Sequence, residues 1–121
     1  MLGKFRGNFT SKIKKWISSG FYTIIVLMIL GKYGSCYGYK IIKVIKDKSR
    51  NILSPSDSTI YSILHNLEKH GLVRAYWAEV EGGVPRKYYE LTGEGRKVLS
   101  ELLSYLDSFL KVLDDFRREF T

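Results

Sequence analysis

The last quarter of this 121-residue chain carries an apolar repeat that a single small domain cannot cover. Large apolar side chains recur there at alternating spacings of three and four residues, which places them on one stripe of a helix over about three heptads. A helix from residue 93 to residue 120 would be a rod about 42 Å long. The stripe is therefore predicted to be a dimer interface with a second copy of the chain, formed by Leu99, Leu102, Leu106, Phe109, Leu113, Phe116 and Phe120.

The composition is that of one folded and strongly basic domain. Hydrophobic residues make up 45% of the chain, and its formal net charge is +8 at pH 7. Residues 1–60 hold 11 of the 20 lysines and arginines but only 2 of the 12 acids. Such a surplus favours a polyanionic partner. With one cysteine and two histidines, the chain is predicted to have no disulfide framework, no metal site and no cofactor.

An apolar run near the N-terminus raises the question of a membrane. Residues 21–30 are apolar apart from Thr23, but a membrane span needs about twenty such residues. No small-residue cleavage site follows the run, so a buried core helix is a better interpretation than a signal peptide. We therefore expect a cytoplasmic protein without a membrane partner.

The N-terminal part is predicted to contain an arm and three helices. Residues 1–19 are predicted to form a basic arm that is irregular to Phe9 and ends in a short helix, Thr10–Ser18. Gly20 is expected to separate this arm from a buried helix at about residues 21–32. After a glycine-rich turn, a second helix is expected at about residues 38–48.

The third helix has the clearest start signal in the chain. In Ser54-Pro55-Ser56-Asp57, Ser54 is the predicted N-cap, Pro55 fits the first helical position, and Asp57 stands at the capping-box spacing. The helix is expected to run to His70, where Gly71 ends it in a left-handed conformation.

A β-hairpin and a long helix complete the predicted fold. The runs 72–77 and 87–91 flank a tip with Gly82-Gly83 and Pro85, which is typical of a hairpin with a long loop. Thr92 is expected to cap the last helix. The predicted fold is mainly α with a β-hairpin wing: a winged helix-turn-helix over residues 20–92, followed by a C-terminal dimerisation helix over residues 93–121.

Candidate DNA contacts lie on the third helix, the wing and the second helix. One face of the third helix is polar and can hydrogen-bond to base edges or phosphates; it carries Ser58, Thr59, Ser62, His65, Asn66 and Lys69. Tyr61 borders this face, and its ring is more typical of a core shoulder, although its hydroxyl can reach a phosphate. Arg86 and Lys87 of the wing are candidates for backbone contact, but adjacent strand residues point to opposite faces, so only one of the two is expected to face DNA. Glu79 and Glu81 on the opposite strand could hold them in salt bridges instead. Lys40 and Lys43 add non-specific attraction.

Several of these segments together resemble the PadR-type family of transcriptional regulators. They stand in family order over residues 20–100, about two thirds of the chain; they are Tyr37-Gly38-Tyr39, Ser58-Thr59-Ile60-Tyr61, Leu64-His65-Asn66-Leu67-Glu68-Lys69-His70-Gly71-Leu72-Val73, Arg86-Lys87-Tyr88-Tyr89-Glu90-Leu91-Thr92 and Gly95-Arg96. The resemblance implies a homodimeric DNA-binding regulator, usually a repressor, with the third helix in the major groove. The wing would then contact the backbone or the minor groove. The single C-terminal helix is similar to the short branch of the family.

Two features depart from the family pattern. Asp57-Ser58 stands where the family often has Pro-Gly, which puts an acid near the DNA-facing helix start. The basic arm is also longer than the family core requires. Family members that sense aromatic compounds bind them near the dimer interface, where Trp16 would lie if the N-terminal helix packs on the last one. Aromatic residues in so small a chain are more often core, so a small aromatic effector is not predicted.

Other functions remain as alternatives. No catalytic triad, phosphate-binding glycine loop or paired carboxylates in a cleft are recognisable, so an enzyme is not expected. The same fold could serve a replication-terminator or architectural DNA-binding protein. It could also serve a dimeric protein–protein adaptor that has lost DNA binding. The strongly basic first half argues against the adaptor, which has no need of it.

Overall fold

The computed structural model describes residues 2–80 and 82–121, with side chains from residue 6 onward. Within these residues, three strands form one antiparallel sheet, in which the last strand of the sequence lies between the other two. The class is the predicted one, mainly helical with a β-hairpin wing. The elements are α1 (Leu2–Tyr33), β1 (Ser35–Tyr37), α2 (Gly38–Lys48), α3 (Asp57–Lys69), β2 (Val73–Ala78), β3 (Arg86–Leu91) and α4 (Gly93–Phe120).

Helix α1 is continuous from Leu2 to Tyr33, so three predictions are wrong: the irregular arm up to Phe9, the separate short helix Thr10–Ser18 and the break at Gly20. A glycine inside a helix costs only about 1 kcal/mol relative to alanine, and the helix continues through Gly20 without interruption. Met1, the first residue of the predicted arm, lies outside the described residues.

Part of α1 is long and apolar enough to cross a membrane. Residues 6–33 meet that criterion by length and composition, and a third of their most apolar window is buried in the fold. Core helices of soluble proteins meet the same criterion. The C-terminal part of α1 belongs to the hydrophobic core, in which Val26, Leu27 and Leu30 are fully buried.

The segment after α1 forms a strand where only a turn was predicted. Strand β1 pairs antiparallel with β3, with Cys36 opposite Tyr89 and Tyr37 opposite Tyr88. Three residues between two glycines are too short to show an alternating pattern. The strand therefore depends on pairing with a distant segment, which local sequence does not reveal.

The start of α3 lies two residues later than predicted. Ser56, and not Ser54, is the N-cap, and its hydroxyl accepts a hydrogen bond from the Thr59 amide at 3.2 Å. Pro55 is buried just ahead of the helix instead of opening it. Both serines have the chemistry of a cap, so residue type alone did not separate them. The end of the helix agrees with the prediction, because Gly71 has a φ of +76°.

The hairpin and the last helix agree closely with the sequence analysis. Strands β2 and β3 pair in a single register, with Val73 opposite Leu91. The Thr92 hydroxyl accepts a hydrogen bond from the Gly95 amide at 3.0 Å and caps α4. Gly95 is buried against the Leu72 carbonyl, where a Cβ atom would overlap with the backbone. A glycine is therefore required where α4 begins beside the wing.

The core lies between α1, the helix pair α2–α3 and the inner face of the sheet. Its fully buried residues come from all of these elements, and burial of each large side chain contributes about 1.5–3 kcal/mol. They include Leu27, Leu30, Cys36, Ile41, Ile60 and Leu64. This core fixes the angle between α3 and the wing, and so positions the candidate interface.

Candidate nucleic-acid interface

The polar face of α3 is exposed, as predicted. Ile60, Leu64 and Leu67 are buried, which turns Ser62, Asn66 and Lys69 towards solvent. Among the residues that the structure describes, no side-chain hydrogen bond or ion pair engages these three. Their polar groups are therefore available to a partner without first breaking an internal contact. Ser58 and His65 are exposed on the same side of the helix.

Thr59 and Tyr61 differ from the rest of the predicted reading face. The Thr59 hydroxyl lies 2.8 Å from the Ser56 hydroxyl, and the residue is half-buried in the helix cap. The Tyr61 ring lies against the start of α2, where a Cβ atom on Gly38 would come within 2.5 Å of it. Tyr61 is still 47% exposed. Tyr61 thus lies at the edge of the core, as predicted, and remains partly accessible to solvent.

The two predicted cations of α2 have different surroundings. Lys43 is exposed. Lys40 is half-buried, and its ammonium group lies 4.9 Å from the centre of the Tyr33 ring. Lys40 lies in the first turn of α2, and Lys43 lies about one turn further along the helix.

The wing cations are held by aromatic rings and by α3. The Arg86 guanidinium lies 4.4 Å from the centre of the Tyr37 ring. The Lys87 ammonium lies 4.0 Å from a carboxylate oxygen of Glu68 on α3. Lys87 does not pair with Glu79, one of the two acids that were predicted as alternative partners. The other, Glu81, lies outside the described residues. Lys87 is therefore tied to the edge of α3 that faces the wing.

Two exposed aromatic residues complete this region and were missed in the sequence analysis. Tyr39 and Trp77 are 66% and 68% exposed. With Tyr61, Lys87 and three further residues they line a cleft of about 440 Å³ between the start of α2, α3 and the wing. Trp77 could have been predicted from the hairpin, because it lies directly opposite Lys87 and paired residues of antiparallel strands point to the same face.

One phenol of this cleft has a raised pKa. Tyr89 is buried at the bottom of the sheet. Its burial raises the pKa of the phenol, and the nearby Glu68 carboxylate and Tyr61 act in the same direction. An ordinary phenol is already protonated at neutral pH, and the raised pKa extends that range to more alkaline solutions.

The outer face of the sheet carries a separate polar network. Arg74 donates two hydrogen bonds to Glu90, at 2.8 and 3.0 Å, and Ser35 donates one to the other carboxylate oxygen at 3.2 Å. Tyr76 donates to Ser35 at 2.9 Å. The hydrogen bonds from Arg74 lower the pKa of Glu90. This network joins all three strands at the base of the wing.

The predicted dimer stripe on α4 divides into two parts. Leu99 and Leu102 are half-buried and pack on the core of their own chain, and Leu106 is also half-buried. The remaining members are exposed, from 43% at Phe109 to 69% at Phe120. They leave a long apolar surface uncovered; its other members are Leu113 and Phe116. Trp16 on α1 is also exposed, beside Phe9.

Sequence comparison identifies the family to which the chain belongs. The model of the transcriptional regulator PadR-like family matches residues 26–101. An uncharacterized protein from Lysinibacillus sphaericus is 34% identical over 94 residues, covering 78% of this chain and 84% of that protein.

Solved structures agree with this assignment. A transcriptional regulator from Clostridium thermocellum is 32% identical, with a TM-score of 0.73 over 80% of this chain and 90% of that chain. A PadR family transcriptional regulator from Eggerthella lenta is 26% identical, with a TM-score of 0.81 over 93% and 96%. Bacillus subtilis PadR in complex with operator DNA is 26% identical, with a TM-score of 0.60 over 67% of this chain and 45% of that one. The protein belongs to the PadR-like family of transcriptional regulators, whose members are not enzymes.

Proposed function

We propose that this protein is a sequence-specific double-stranded DNA-binding repressor that acts as a homodimer in the cytoplasm. Helix α3 is the recognition helix, which enters the major groove, and the wing lies on the phosphate backbone. The observation that carries the proposal is the exposed polar face of α3. On it, Ser62, Asn66 and Lys69 form a stripe, here called the reading stripe, whose side chains have no internal partner within the part of the chain that the structure describes. The operator complex of Bacillus subtilis PadR, a relative with the same fold, supports it.

Asn66 is the side chain best suited to read a base. Its amide can pair with N6 and N7 of adenine together, whereas a lysine acts mainly as a point charge. Loss of such a bidentate contact costs about 1–3 kcal/mol at one base position. Lys69 lies at the end of the same stripe and is suited to a phosphate or to guanine.

A selection from random duplexes tests this reading. We expect the wild-type protein to enrich an inverted repeat whose half-sites lie about 34 Å apart, one turn of DNA. Asn66→Ala should enrich a motif that has lost information at one position of each half-site. Asn8→Ala is the matched control, because Asn8 is an exposed asparagine on α1 that is not among the candidate DNA contacts, and it should enrich the wild-type motif. Equal information at every position with Asn66→Ala would show that Asn66 reads no base.

The wing should contribute affinity and not sequence preference. If the dimer makes six to ten phosphate contacts, its affinity falls by about a thousandfold or more between about 50 and 200 mM salt. Replacing Arg86 and Lys87 together by alanine should weaken binding to all duplexes alike and flatten this salt dependence. An unchanged slope would place the wing off the backbone.

The homodimer is proposed from the uncovered apolar stripe of α4. Residues from Phe109 to Phe120 present four large apolar side chains to solvent at heptad spacing, and a second copy supplies the matching surface. A two-fold dimer also accounts for the expected inverted repeat.

Two readouts separate a repressor from an activator and from a protein–protein adaptor. Transcription in vitro from a promoter that overlaps the selected site should fall as the protein is added, because a bound dimer excludes the polymerase. A rise in transcription would make the protein an activator. Failure of the wild-type protein to enrich any duplex, with the protein folded and dimeric, would favour the adaptor.

A further inference from the structure

The aromatic and basic cleft beside α3 has the chemistry of a site for a nucleic-acid backbone. Two exposed aromatic residues line it, Tyr39 from α2 and Trp77 from β2. Two cations, Arg86 and Lys87, line it as well. A phosphodiester offers oxygen acceptors to phenol hydroxyls and ammonium groups, and its deoxyribose offers an apolar face to an indole ring.

The position of the cleft relative to α3 supports the same ligand. On the helical wheel of α3, Tyr61 and Glu68 lie on the side next to the reading stripe, and Glu68 contacts Lys87 of the wing. A duplex with α3 in its major groove runs one of its strands along the wing side of that helix. The strand then passes over the cleft, between the recognition helix and the wing.

The Glu68 carboxylate is the one acid found beside these cations among the described residues. Its distance of 4.0 Å from Lys87 leaves the ammonium only partly neutralised, because both side chains are more than a third exposed and water screens the pair. A phosphate entering the cleft competes with Glu68 for Lys87.

We propose that this cleft binds one phosphodiester and its deoxyribose on each half-site. Trp77 packs on the sugar, and Tyr39 and Lys87 donate hydrogen bonds to the phosphate oxygens. Tyr39 and Trp77 thereby anchor the DNA strand and fix the angle at which α3 enters the groove. This inference rests on the proposed DNA binding, but it assigns two residues that neither the reading stripe nor the predicted wing contact includes.

The first experiment uses Trp77 as its own probe. The chain has two tryptophans, so a Trp16→Phe variant leaves Trp77 as the sole indole. Titration with a duplex from the selection should change the emission of Trp77 in parallel with DNA binding followed by anisotropy of a labelled duplex. Binding without any change in Trp77 emission would overturn the assignment of Trp77.

The second experiment locates the contacted phosphate. Single phosphates of the selected duplex are replaced one at a time by neutral methylphosphonates. At the cleft position, the wild-type protein should lose about tenfold in affinity, as expected when a charged hydrogen-bonded contact is removed. Tyr39→Phe should bind the unmodified duplex about tenfold more weakly and should lose much less at that same position, because the two changes remove one contact.

Tyr33→Phe is the matched control. Tyr33 is also an exposed tyrosine, on α1 beside Lys40, but it does not line the cleft. It should retain wild-type affinity and the wild-type methylphosphonate profile. An unchanged profile with Tyr39→Phe, on a protein that still binds its duplex, overturns the cleft while leaving the proposed function intact. Absence of binding by the wild-type protein would instead overturn the proposed function.

Discussion

Replacing Glu68 by glutamine should strengthen DNA binding, an outcome that a merely damaged protein cannot produce. Glu68 is on the edge of α3 that faces the wing, with its carboxylate 4.0 Å from the Lys87 ammonium. In the free protein this acid partly neutralises Lys87. In the complex it also repels the phosphate that we place in the cleft. The glutamine keeps the shape of the side chain and removes its charge.

The size of the effect follows from Coulomb's law. A carboxylate about 6–8 Å from a phosphate costs about 0.5–0.7 kcal/mol in a medium as polar as water. Removing that cost strengthens binding by about threefold for each protomer and by about tenfold for a two-fold dimer. The freed Lys87 should also make the salt dependence steeper, by up to about 0.9 in the logarithmic slope for each protomer. The substitution should lower the free energy of unfolding by at most about 1 kcal/mol, because both side chains of the ion pair are partly exposed to solvent.

The assay is anisotropy of a labelled duplex at several salt concentrations. Glu94→Gln is the control: it removes one negative charge from another exposed ion pair, with Lys97 at 3.4 Å, at the start of α4. Both variants have the same net charge, so a general effect of charge would appear in both. Equal affinities for wild type and Glu68→Gln would refute the placement of a phosphate near Glu68. Equal gains in the two variants would refute the local origin of the effect.

Three further predictions concern the dimer, the helix-turn-helix and the base of the wing. Leu113→Asp should convert the dimer into folded monomers by light scattering, whereas a wild-type mass of 14.0 kDa at micromolar concentration would contradict the dimer. Gly38→Ala should lower the melting temperature and weaken DNA binding, since its Cβ would come within 2.5 Å of the recognition-helix tyrosine; Gly20→Ala, with open space around it, should raise stability by about 0.5–1 kcal/mol. Because hydrogen bonds from Arg74 lower the pKa of Glu90, this pair stabilises the fold above pH 4.5 and the contribution is lost as pH falls through the lowered value. Glu90→Gln should therefore lose less stability on acidification, and identical pH profiles would exclude this role.

The sequence predicted best those features that depend on one helix at a time. The period of Ile60, Leu64 and Leu67 identified the buried side of α3, and the structure has all three buried. The cap of α4 at Thr92 was also predicted, because an N-cap is a local contact between a hydroxyl and an amide three residues away.

Features that depend on contact between distant segments were missed. Strand β1 exists only because Cys36 pairs with Tyr89, more than fifty residues away. The cleft requires Tyr39 on α2 to stand near Trp77 on the wing, and no local period encodes that distance. The pairing of Lys87 with Glu68 belongs to the same class, and the nearer acids of the opposite strand were the more obvious candidates from sequence.

The apolar stripe of α4 shows why a correct pattern can still hide two different contacts. Heptad spacing reports that a set of side chains shares one face of a helix, but it does not report what covers that face. Gly31 on α1 lets α4 approach closely, since a Cβ atom there would lie 3.3 Å from Leu99. The first turns of α4 therefore pack on the core of their own chain, and only the turns beyond Leu106 extend past it. Helix α4 therefore has two roles: its first turns complete the core of one chain, and its later turns form the proposed dimer interface. In such a dimer, α4 sets the distance between the two copies of α3.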